Sequence, residues 1–152
     1  MAGCLRTRIG RIPWGRNFVG GGGFSRRPPP VEVVDPFARA QAEFQRIDAL
    51  RLLDAGERGR YVTLMVEVLR DYLAARYAEA NLSLTSTELQ RSVRGQPHIP
   101  EERLTRVLFD SDLIKFARRP VSSDRARELG REACSIVADE HKASQPAPEA
   151  AA

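Results

Sequence analysis

Between residues 57 and 79, apolar side chains return every three or four positions: Tyr61, Leu64, Met65, Val68, Leu69, Tyr72, Leu73 and Tyr77. That spacing places them on one stripe of an α-helix, while Arg60, Glu67, Arg70, Asp71 and Glu79 fall on the other faces. A helix this long with one apolar stripe must bury it against other elements, and the flanking sequence supplies helices. Asp35 suits an N-cap and Pro36 the first helical position, after which Phe37, Ala40, Phe44, Ile47 and Leu50 keep the same period. Asp54-Ala55-Gly56 closes this first helix, with Gly56 in the left-handed cap conformation. The short connection makes the first two helices an antiparallel hairpin.

Downstream, Thr85-Ser86-Thr87-Glu88 has the form of a capping box opening a third helix that ends near Gly95. Pro100-Glu101-Glu102 starts a fourth carrying Leu104, Val107 and Leu108. Its phase slips at Asp110-Ser111-Asp112, where a break is expected before Leu113 to Ala117 resume. Pro120 ends that piece, and Ser122 or Ser123 caps a last helix burying Leu129, Ala133, Ile136 and Val137. No segment alternates with the two-residue period of a strand. The expectation is an all-α fold, a compact bundle of five or six helices over residues 36–143. Residues 1–35, with seven of the eleven glycines and three consecutive prolines, and residues 144–152 are expected to be disordered tails.

The formal net charge of +4 is unevenly distributed. Residues 1–30 hold six arginines and no acid, so the remainder carries 18 bases against 20 acids, a net of −2. A nucleic-acid-binding fold needs a basic face on the folded part, which argues against nucleic acid as the partner. The basic tail suits peripheral contact with anionic lipid headgroups. Cys4 and Cys134 have no spacing that suggests a bridge and are expected to be reduced thiols of a cytosolic protein.

Catalysis by a nucleophile would need a base within reach, and a metal would need clustered ligands. His98 and His141 are far apart, as are the two cysteines, and Gly20 to Gly23 follow no strand and precede no Gly-Lys-Ser/Thr. The sequence therefore predicts neither an enzyme nor a cofactor or metal site. A helix-turn-helix across Thr85–Arg94 and Pro100–Phe109 would make the chain a small nucleic-acid-binding regulator. Glu101 and Glu102 at the start of its recognition helix would repel phosphate while favouring the helix dipole, so two core helices are the better reading. The remaining candidates are charged. Asp112 and Lys115 lie one turn apart and can pair with each other or with Arg70, forming a structural polar clasp. Alternatively, Arg70, Lys115, Arg118 and Arg119 make a partner-docking patch.

Three segments carry a family resemblance: VEVLRDYLAARY (66–77), LTSTEL (84–89) and LFDSDLIKFARRPV (108–121). In order and spacing, residues 50–137 resemble the cytoplasmic domain of BatD-type bacterial oxygen-tolerance proteins and related domains of unknown function. Arg70, Tyr72, Thr87, Glu88, Asp112, Lys115 and Phe116 match its recurring positions. The resemblance implies a protein-interaction domain at the cytoplasmic face of the inner membrane, with a MoxR-type AAA+ ATPase and von Willebrand factor A proteins as partners in envelope stress or oxygen tolerance. It brings no catalytic residue. In that family a membrane-spanning helix precedes the domain; here the arginine- and glycine-rich segment occupies that place.

Overall fold

A computed structural model describes residues 34–146, and these form five helices with no strand among them. The tails expected at either end lie outside the described residues, save for the few positions next to the bundle. Helix α1 spans Pro36–Ala49. The Asp35 carboxylate accepts the Phe37 amide at 3.3 Å, and Pro36 opens the helix as expected. The helix ends earlier than expected. The buried stripe Ala40, Phe44, Ile47 would next place Arg51 in the core. Instead the chain leaves the helix, Arg51 takes a left-handed φ of 53°, and Leu52 is buried while Leu50 stays 46% exposed. Gly56, with φ 80°, completes the turn in the left-handed conformation.

Helix α2 spans Arg58–Arg76 and packs against α1, α4 and α5, most extensively against α5. That central position explains why Val62 and Val66 are buried beside the expected stripe. Tyr77 leaves the helix in an extended conformation, so α2 stops short of residue 79. Helix α3, Ser86–Ser92, begins with the expected capping box: Thr85 Oγ1 accepts the Glu88 amide and the Glu88 carboxylate accepts the Thr85 amide. The Thr85 amide and, at 2.8 Å, the Thr85 hydroxyl both donate to the Glu88 carboxylate and hold it below the usual carboxylate range.

Helix α4 runs unbroken over Glu101–Phe116, which corrects the expected interruption at Asp110-Ser111-Asp112. Leu104, Val107, Leu108, Ser111 and half-buried Ile114 share one face, so a small polar residue stands at a core position without a change of phase. Asp110 faces α5 and pairs with Arg125. Arg118, with φ 51°, turns the chain after α4. Helix α5, Ser123–Ser144, is capped by the Ser122 hydroxyl, which accepts the Arg125 amide at 3.1 Å. Its buried face holds the four predicted residues together with Ala126, Gly130 and Glu140.

The residue pairings fix the directions. Tyr61 lies beside Gly130 and Tyr72 beside Glu140, so α2 and α5 run parallel. Asp48 meets Tyr61 at the turn end of the α1–α2 pair. On α4, Arg103 bonds Ser135 at 2.8 Å and Asp139 at 2.6 Å while Asp110 pairs with Arg125, so α4 runs antiparallel to α5. Gly130 permits a close approach of α2 and α5: a Cβ there would lie 2.6 Å from the Tyr61 hydroxyl.

Candidate functional site

The outer face of α2 and the C-terminal half of α4 diverge around the turn at residues 82–86, leaving a cleft of about 610 Å³. Thr63, Glu67, Arg70 and Asp71 come from α2, Leu82 to Ser86 from the turn, and Ser111, Asp112, Lys115 and Phe116 from α4. An Asx turn shapes the middle wall, with Asn81 Oδ1 accepting the Ser83 amide at 2.9 Å. A second groove of about 590 Å³, between α1 and α2, shares Glu67, Asp71 and Leu82 with the first.

Three of the five charged candidates, Arg70, Asp112 and Lys115, meet at this cleft. The clasp they form differs from the one expected. The Arg70 guanidinium donates to the Leu84 carbonyl and, at 3.2 Å, to the Ser86 hydroxyl, tying α2 to the start of α3. Lys115 pairs with Glu67 at 3.5 Å instead of with Asp112. Asp112 makes no ion pair with any described residue. The reason is reach: Arg70 is drawn along α2 to an unpaired backbone carbonyl, and Lys115 points across the cleft to α2. Arg118 and Arg119 lie past the end of α4, exposed and outside the cleft; Arg119 lines a separate hollow at the α4–α5 turn.

The cleft's rim was not legible from hydrophobic periodicity. Leu82 is 60% exposed and Phe116 75% exposed, and both line it. Asp71 sits between the two grooves with part of its side chain in solvent, and partial burial by their walls raises its carboxyl above the usual carboxylate range. Glu67 and Glu43 push the same way, against Arg39 and Arg70.

A second polar constellation centres on a carboxyl buried inside the bundle. Glu140 is wholly buried and accepts hydrogen bonds from Tyr72, from Tyr77 at 2.7 Å and from Arg76 at 3.4 Å. Burial first, then the bond to Glu140, raises both phenols well above their ordinary range. The signal in the sequence was the position itself: Ala133, Ile136 and Val137 are followed by Glu140 at the next place on the buried stripe. Such a carboxyl requires partners, and Tyr72 and Arg76 of α2 with Tyr77 just past its end supply them.

Among the described residues, the cysteine and the two histidines do not converge. Cys134 is half-buried, and burial pushes its thiol up to about 11, which keeps it protonated at neutral pH. His141 stacks on Phe37 at 3.8 Å and His98 is exposed in the turn before α4. Among the described residues no three His, Cys, Asp or Glu side chains are placed to hold a metal, and no helix is long and apolar enough to cross a membrane. At the α3–α4 turn, the Glu101 carboxylate accepts the Gly95 amide at 2.6 Å, so this acid braces the turn. Comparison of the chain with protein-family models, curated proteins and solved structures finds no match.

Proposed function

We propose that the domain is a non-catalytic protein-interaction module whose docking site is the cleft between α2 and α4. The observation that carries this reading is the exposed pair Leu82 and Phe116, set at the rim of a cleft whose walls are charged. Large apolar side chains exposed at a concave surface are what a partner desolvates on binding, and aromatic anchors contribute most to such contacts. The Glu67–Lys115 pair across the cleft is exposed and long, so exchanging it for contacts with a partner sacrifices little stability. The partner class follows the sequence resemblance: a MoxR-type ATPase or a von Willebrand A protein at the inner-membrane face. The polar clasp and Phe116 are among the positions that carry that resemblance.

The test is affinity capture of the tagged full chain from its host lysate with light crosslinking, comparing wild type with Phe116→Ser and Lys115→Glu. Recovery of a MoxR-type ATPase or von Willebrand A protein by wild type, lost in both folded variants, is the expected result. Recovery of nucleic acid and neither protein class would replace this reading with a nucleic-acid-binding one.

A further inference from the structure

The committed and uncommitted charges of the cleft have opposite signs. Of its two cations, Arg70 is spent on the Leu84 carbonyl and the Ser86 hydroxyl, and Lys115 faces Glu67. Of its three acids, Glu67 has Lys115, while Asp71 and Asp112 pair with no described cation. These two carboxylates stand on opposite walls, one from α2 and one from α4, with Leu82 and Phe116 beside them at the rim. A bound segment therefore meets apolar surface and two unpaired carboxylates along the walls.

Resting on the docking-site reading above, we propose that the cleft takes a short segment of a partner protein carrying an arginine or lysine next to a large apolar residue. The apolar residue covers Phe116 and Leu82, removing from water the largest exposed hydrophobic surface near the cleft. The basic side chain enters between Asp71 and Asp112. An arginine has the better shape, since its planar fork can donate two parallel hydrogen bonds to a carboxylate. An acidic segment would meet the same two carboxylates, and neither cation lining this cleft is free to neutralise it.

The experiment uses the intact chain and a set of fluorescent nine-residue peptides: Arg-Phe and Lys-Leu centres, with Glu-Phe and Arg-Ser centres as controls. Anisotropy should show the basic–apolar peptides binding about five- to tenfold more tightly than either control. The double variant Asp71→Asn with Asp112→Asn should erase the preference over Glu-Phe. Phe116→Ser should erase the preference over Arg-Ser, with unchanged helical ellipticity in each. Equal binding of the Glu-Phe peptide, or a preference unaffected by the Asp→Asn pair, overturns the proposal. So does concentration-dependent self-association of the chain that Phe116→Ser abolishes, because a second copy would then be the occupant. If no peptide binds while lysate capture still depends on Phe116, the basic-segment proposal fails and the docking site stands; capture independent of Phe116 ends both.

Discussion

Helix α2 shows two opposite ways of handling polar groups on its two sides. Toward α5, Tyr72, Tyr77 and Arg76 close on Glu140, every donor meets the same carboxyl, and that carboxyl has no exposed surface. Toward α4 and the 82–86 turn, charges line an open cleft, two acids go unpaired among the described residues, and apolar side chains stand out in water. Both sides draw on similar residue types. The difference lies in whether water is excluded. A polar group sealed from water must find all its partners within the fold, so the α5 side is a matter of stability. A polar group left wet can change partners at small cost, so the α4 side is suited to binding.

The comparison breaks most sharply at alkaline pH. All three tyrosines lie on or just after α2, and burial raises each of them: Tyr61 to about 12, Tyr72 and Tyr77 further. Their unfolded phenols ionise near about pH 10. Folding therefore favours the protonated phenols, so their contribution to stability is complete below about pH 10 and is lost as pH rises toward and past about 12. Tyrosinate absorbance should lag an unfolded control through about pH 11 and then rise together with the loss of helical ellipticity. Phenols that ionise in the ordinary range with the helices intact would show that the α5 side is not sealed.

Next in size is Glu140→Ala. It strands two hydroxyls in the α2–α5 seam, while Arg76, whose side chain is 34% exposed, can turn to water. The expected loss is about 2–4 kcal/mol in urea unfolding. Tyr72→Phe, which removes a single bond to the same carboxyl, should cost about 1 kcal/mol. A Glu140→Ala loss no larger than that of Tyr72→Phe would mean water already enters the seam.

How much of this was readable in advance depends on which interactions were local. The Asp35 cap, the Thr85–Glu88 box and the buried stripe of α5 are set by neighbours within one turn, and the sequence displays them directly. The end of α1 depended on Leu52 competing with Arg51 for the core, and the continuity of α4 on Ser111 occupying a core position and Asp110 finding Arg125. Both are decided by residues brought together from afar. The candidate site divides in the same way. Charge and spacing singled out Arg70, Asp112 and Lys115 from the sequence, but the carbonyl that captures Arg70 lies on a turn whose path follows from α2 ending at Arg76. The exposure of Phe116 was equally hidden: periodicity marks which face of α4 is apolar, not where the bundle stops covering it.

The smallest expected effect is the most discriminating for the cleft. Phe116 is 75% exposed and contributes little buried area in the free protein. Phe116→Ser should therefore change unfolding free energy by less than about 0.5 kcal/mol, the range of an ordinary surface substitution. Loss of stability well beyond that would mean that the ring is packed in solution, against this chain or a second copy, and that the free protein does not present an open rim. If stability holds while partner capture disappears, the ring's role belongs to the complex. The two sides of α2 would then be separable by mutation, Glu140 acting on folding and Phe116 on binding.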